Sequence, residues 1–158
     1  MEFRDLLHKD GILINLQGSD KNETLTQMAQ YMASIYNLPD ADFITRKILE
    51  REIVQSTGIG FGIAIPHARI DTIDRIYMIA ARSVIGVNFY AIDKQPVRLL
   101  FMMISPSTSA EHNDILSSLS RAMSDEDIRT KLHSASTSEE FRDLLNSAAA
   151  RHYSTTSK

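Results

Sequence analysis

The run VRLLFMMI, residues 97–104, constrains the fold of this chain more than any other stretch. Its near-continuous apolar character reads as a fully buried strand, and it is far too short to span a bilayer. The elements around it set the architecture. GILINL, residues 11–16, suits another buried strand. SDKNETLTQMAQYMASIYNLP then takes helical spacing, with Leu25, Met28, Ala29, Met32 and Ile35 on one face, cap candidates from Ser19 to Asn22, and Pro39 closing it. A second helix is predicted from Asp40 to about Arg51, with Phe43, Ile44 and Ile48 turned inward. GIAI and IYMIAARSVI read as strands, and NFYAIDKQP supplies turn chemistry before the buried run.

From Ala110 the period becomes helical. EHNDILSSLSRAM places Ile115, Leu116, Leu119 and Met123 on one stripe. Two more helices are predicted over Asp125–His133 and Ser138–Ala150, the last opened by the capping-box spacing of Thr137 and Glu140. The polar tail RHYSTTSK, residues 151–158, is expected to be loose. The order of elements is strand, two helices, several strands, then helices. It predicts an α/β fold, a layered sandwich around a mixed sheet, with a single domain over residues 1–150.

Composition narrows the function classes. The 158 residues carry a formal net charge of −3, which offers no basic field for a phosphate backbone, so no nucleic-acid partner is expected. Cysteine is absent, which excludes disulfides, thiolate metal sites and a cysteine nucleophile. The N-terminus MEFRDLLHKD has no apolar segment of a secretory signal. A cytoplasmic protein with no direct membrane insertion is the expectation.

The chemistry centres on STGIGFGIAIPHARI, residues 56–70. Glycines serve unusual dihedrals or close approach, and proline stiffens the backbone before His67. His67 is therefore expected just past the end of a strand, its ring facing outward. His112 falls in the first turn of the helix after VRLLFMMI. If GIAI and VRLLFMMI end side by side, the two rings meet. The other histidines, His8, His133 and His152, lie in polar stretches near helix or chain ends and read as solvated.

Two histidines could bind zinc, but no third ligand stands out beyond Glu111 and Asp71, so no metal is assigned. GIGFG leads into a strand and no Lys-Ser/Thr follows, so a nucleotide loop fails on context. No GxSxG elbow exists for a serine hydrolase. The remaining option makes His67 a nucleophile toward phosphorus. The phosphoryl oxygens would then need donors, for which Arg51, Ser56, Thr57 and Arg69 are near in sequence, with His112 reaching from across the sheet. For Arg51, a solvated charge at a helix end stays open beside the clamp.

GIGFGIAIPHA, with Glu52 upstream, resembles the phosphorylation-site signature of the fructose/mannitol-type enzyme IIA domains of the bacterial phosphoenolpyruvate-dependent phosphotransferase system. STGIG before it, FYAIDKQPVRLLF after it and EHNDILSSLSRAM resemble corresponding parts of that family, over roughly residues 5–147. The wording is most similar to the nitrogen-regulatory branch. The resemblance implies a three-layer α/β/α sandwich and a phosphotransferase that needs no cofactor. It implies His67 as the residue phosphorylated at Nε2, His112 as the second histidine holding the phosphoryl group, and Arg51 as the basic residue beside them. It also implies an HPr-like phosphocarrier as donor, and an enzyme IIB or a regulated target protein as the next partner.

The sequence departs from that branch at Phe61, where asparagine is common, and at Ala68 and Arg69, which replace a Gly-Lys-like pair. Phe61 is expected near the site, as local packing or as part of a partner surface. Three functions compete: a regulatory phosphocarrier, a sugar-transport component feeding an enzyme IIB, and a binding module that has lost phosphotransfer. The lack of a fused IIB or membrane segment leans toward regulation, and the joint presence of His67, His112 and Arg51 speaks against the third.

Overall fold

The computed structural model describes residues 3–156, with side chains through residue 152. A 3₁₀ turn, Phe3–Leu6, leads into β1 (Leu7–Leu16), followed by α1 (Lys21–Ile35) and α2 (Ala41–Val54). Three short strands come next: β2 (Gly58–Gly60), β3 (Ile63–Ala64) and β4 (His67–Arg69). The long strands β5 (Tyr77–Val87) and β6 (Val97–Ser105) precede α3 (His112–Met123), α4 (Glu126–Ser134) and α5 (Ser138–Thr156).

The sheet is mixed, in the order β1-β5-β6-β3-β2, with β4 also paired to β6. β1 runs parallel to β5, β5 antiparallel to β6, and both β3 and β4 parallel to β6. Side chains alternate across β6 as strand geometry requires. Leu99, Phe101 and Met103 enter the core shared with α3, α4 and α5, whereas Leu100, Met102 and Ile104 enter the core shared with α1 and α2. The sheet is thus covered on both faces, and the fold is a three-layer sandwich. Among the described residues no helix is long and apolar enough to cross a membrane.

Local signals explain the helix starts. Asp20 and Asp40 cap α1 and α2 by accepting from Glu23 N–H and Phe43 N–H. Glu140 N–H donates to Thr137 Oγ1 while the Glu140 carboxylate accepts from Ser136 N–H, which opens α5. Two boundaries differ from the sequence reading. β1 starts four residues earlier, at Leu7, because Leu7 pairs with Met78 before the bulge at Gly11. α5 continues to Thr156, so residues 151–156 are helical rather than loose, while 157–158 lie outside the described residues.

The glycine-rich stretch is a tight reversal. Gly60, Phe61 and Gly62 all have φ between 60° and 95°, and the chain turns from β2 into the antiparallel β3. Pro66 then separates β3 from β4. It removes one ladder N–H, yet its carbonyl still accepts from Met103 N–H at 2.9 Å, so pairing with β6 resumes at once. His67 therefore follows the end of β3, as expected, but is itself the first residue of a further strand, β4, half-buried and paired in register with Met103.

Candidate functional site

β4 lies against the C-terminal half of β6, and α3 starts seven residues after β6 ends. That topology brings the first residue of β4 and the first residue of α3 together. The His67 and His112 ring centroids are 5.3 Å apart, with their planes at 66°. The C-terminal turns of α2 complete a pocket of about 420 Å³ lined by Lys47, Glu50, Arg51, Val54, His67, Ala68, Arg69 and His112.

The imidazole of His67 is oriented by its own backbone. Nδ1 lies 2.8 Å from the carbonyl oxygen of Ile65. A carbonyl only accepts, so the contact requires Nδ1–H, and the neutral ring then keeps its lone pair on Nε2. Burial holds the imidazole below its ordinary pKa; the Ile65 carbonyl opposes this, Arg51 reinforces it, Glu52 opposes it and Arg69 reinforces it. His67 is accordingly neutral at physiological pH.

His112 is 4% exposed and sits deeper. Its pKa is pushed down to about 4, first by burial and then by Arg69, His67 and Arg51. Its Nδ1 meets Ser105 Oγ, the last residue of β6 and fully buried. A serine hydroxyl can both donate and accept; where it donates to Nδ1, the imidazole proton sits on Nε2. The pair of rings then offers one lone pair and one N–H.

Arg51 donates from Nη1 to Gln55 O at 2.8 Å while lining the pocket, so it is fixed at the helix end and faces the site at once. Arg69 donates from Nη1 to Ser107 O and Ser109 O, both at 3.2 Å, and so grips the loop that delivers α3. The Ser107 hydroxyl of that loop donates to the Asp71 carboxylate, just after β4.

Ser56 and Thr57 are occupied elsewhere. The Ser56 hydroxyl donates to Phe89 O at 2.6 Å, and buried Thr57 donates its N–H and hydroxyl to the Glu52 carboxylate at 2.8 and 2.6 Å. Neither residue lines the pocket. Phe61 is not near the site either. It occupies the β2–β3 turn beside Arg98, whereas His67 pairs four to five residues further along β6, and the Arg129 guanidinium stacks 4.5 Å from the Phe61 ring. Lys47, Glu50 and Val54 of α2, and Ser105 beneath His112, were not expected from sequence. A serine closing an apolar strand seven residues before a histidine is the signal that points to Ser105. Among the described residues, no group of three or more His, Asp or Glu side chains could hold a metal ion.

The arrangement suits a nucleophilic imidazole receiving a dianion: a neutral Nε2, a second ring with an N–H, and guanidinium charge on two sides.

The family model described as "Phosphoenolpyruvate-dependent sugar phosphotransferase system, EIIA 2" matches residues 5–148. The chain is 44% identical over 88 residues to the "PTS system fructose-specific EIIA component" of Haloferax volcanii, covering 55% of this chain and 57% of that one. It is 35% identical over 121 residues to the "PTS system fructose-specific EIIABC component" of Bacillus subtilis, covering 77% of this chain and 19% of that one. The chain thus spans little more than half of the first relative and about a fifth of the second. Among solved structures, the nitrogen regulatory protein IIA-Ntr of Neisseria meningitidis superposes with a TM-score of 0.85 at 28% identity, over 90% of this chain and 97% of that one.

Proposed function

Since the chain belongs to the phosphoenolpyruvate-dependent sugar phosphotransferase system EIIA 2 family, we propose that it is a phosphocarrier whose His67 Nε2 accepts a phosphoryl group from phosphohistidine of an HPr-like protein. One observation carries the reading. The Nδ1–H bond to Ile65 O fixes the tautomer with an available Nε2 lone pair, in a pocket flanked by Arg51 and Arg69. That lone pair attacks phosphorus as the donor's N–P bond breaks, and the leaving imidazole takes back the electron pair. The proton stays on Nδ1, hydrogen-bonded to the Ile65 carbonyl, whose dipole stabilises the positive charge the ring acquires. Arg51, Arg69 and the His112 Nε2–H face the phosphoryl oxygens. α3 begins at His112 with no side-chain cap bond from Glu111, so the positive end of its dipole adds to the same field.

The phosphorylation state of His67 then governs binding to a regulated target protein, a reading supported by the likeness to IIA-Ntr. The fructose-specific relatives support a second one, onward transfer to an enzyme IIB. Incubation with phosphoenolpyruvate, enzyme I and HPr, read by intact-mass spectrometry, tests the carrier. One added phosphoryl group, lost in His67→Ala, is expected. No added mass, with either the sugar-branch or nitrogen-branch donors, would leave the fold with a binding role alone.

A further inference from the structure

We propose that the end of the sheet opposite the His67 pocket holds a second anion site, for a small molecule bearing a phosphate-type dianion. A groove of about 430 Å³ opens there between the ends of β1 and β5, the start of β6 and the end of α4, with Asn15, Arg82, Ser83, Arg98 and His133 on its walls. Arg82 pairs with Leu99 across the β5–β6 ladder, whereas His67 pairs with Met103. The two sites are therefore separated by four residues of β6, roughly 13 Å of strand.

Arg82 is built into this wall. Half-buried, it donates from Nε to Ile14 O at 3.2 Å, and from Nη1 to Leu132 O, His133 O and Ala135 O at 2.9, 3.0 and 2.8 Å. These bonds fix the guanidinium plane and leave Nη2 outside them. Arg98 donates from Nη1 to Val84 O at 3.2 Å. Arg129 stands beyond the groove wall, donating from Nη1 to Met123 O at 2.7 Å and stacking on Phe61, with its charge reaching His133.

Every one of these protein partners is a neutral carbonyl or ring. The ion pairs formed by described residues join His8 to Asp10, Lys21 to Glu52, Lys47 to Glu50 and Lys131 to Asp127, and none reaches Arg82, Arg98 or Arg129. Two guanidiniums, Arg82 and Arg98, thus share the groove wall without an ion-paired carboxylate, and the Arg129 charge also reaches His133, in a chain whose net charge is −3. The repulsion registers on His133. Atoms crowding one side of this otherwise exposed ring, and then Arg98, Arg82 and Arg129, hold it below the ordinary pKa. An anion in the groove removes that repulsion, and a planar guanidinium fork matches phosphate oxygens better than it matches carbonyls already in use. The groove volume lies in the range of small-molecule sites. The site stands independently of phosphorylation at His67.

The test is an NMR titration of the histidine ring protons with pyrophosphate, against chloride at equal ionic strength, in the wild type and in Arg98→Gln. A saturable shift at His133 is expected, with its titration midpoint moved upward. In Arg98→Gln, whose lost side chain is exposed, the affinity should fall about tenfold. Arg129→Gln should weaken binding in the same direction and serves if Arg98→Gln folds poorly. Saturation confined to His67 and His112, or a His133 response that is the same in both variants and the wild type, overturns the proposal.

Discussion

Arg51 and Glu52 are neighbours on α2, yet they open onto two polar regions built on opposite principles. Glu52 turns inward, 6% exposed, and its carboxylate is fully engaged: Lys21 Nζ at 2.8 Å, Thr57 N–H at 2.8 Å and the Thr57 hydroxyl at 2.6 Å. Lys21 also reaches Phe89 O, where the Ser56 hydroxyl donates, so the cluster ties the end of α2 to the strands beyond it. Arg51 turns toward a pocket in which His67 Nε2 and the pocket edge of His112 are left open. Both regions combine cationic, hydroxyl and titratable groups. What separates them is whether the hydrogen-bonding capacity is consumed inside the fold. A saturated cluster holds shape, and an unsaturated one on a pocket wall can take a ligand.

The sharpest test exchanges the two outcomes. Glu52→Ala leaves Lys21 and both Thr57 donors without their partner, and should cost about 3–5 kcal/mol in urea unfolding. His67→Ala should abolish phosphoryl uptake while shifting unfolding by less than about 1 kcal/mol, because the half-buried ring makes one backbone hydrogen bond. If His67→Ala destabilises as much as Glu52→Ala, the distinction between a holding and a reacting cluster fails.

A smaller effect appears on acidification. His112 ordinarily titrates at 6.5 and in the fold at about 4. Between those values the unfolded chain binds a proton that the native protein refuses. Stability is therefore intact above pH 6.5, falls as the pH drops toward 4, and has lost the whole contribution below that. The loss is on the order of 3 kcal/mol. Chemical denaturation across this window, compared with His112→Asn, should show a shallower slope in the variant; equal slopes would mean that His112 is not the group refusing the proton.

Much of this arrangement was legible in the sequence because it follows from periodicity and punctuation. Leu25, Met28, Ala29 and Met32 are buried on the face their spacing indicates, Asp20 caps where a cap was expected, and the apolar run at 97–104 is the buried centre of the sheet. The meeting of His67 and His112 followed once GIAI and VRLLFMMI were supposed to lie side by side, which they do. The expectations that did not survive rested on closeness along the chain. Phe61 is six residues from His67, but a left-handed turn and two short strands carry it to the far end of β6. Ser56 and Thr57 are equally near in sequence, yet their hydroxyls bond to Phe89 and Glu52. Arg82 gives no signal inside an apolar strand because the carbonyls that hold it, at Leu132, His133 and Ala135, come from about fifty residues away. Tertiary polar contacts of that range leave no local pattern.

Ser105→Ala probes the boundary between the two kinds of region, since its hydroxyl is saturated and buried yet touches a pocket ring. Losing the bond should cost about 1–3 kcal/mol of stability. It should also slow phosphoryl uptake, because the His112 proton is no longer directed to Nε2. Ser105→Thr, which keeps the hydroxyl, should restore the rate. A Thr variant as slow as Ala would reduce Ser105 to a packing role.

The smallest effect is expected at Arg69, which belongs to both regions at once. Its charge bears on both histidines, while its Nη1 is bonded to Ser107 O and Ser109 O. An exposed guanidinium contributes about 1 kcal/mol or less, so Arg69→Ala should slow phosphorylation only about three- to fivefold. Arg69→Lys separates the causes. Lysine keeps the charge but cannot span two carbonyls with a rigid fork, so recovery of the wild-type rate assigns the effect to electrostatics. If lysine behaves like alanine, the grip on the loop before α3 is what matters, and Arg69 acts by placing His112. An unchanged rate in Arg69→Ala removes the residue from the reacting cluster altogether and leaves Arg51 as the guanidinium that faces the phosphoryl group.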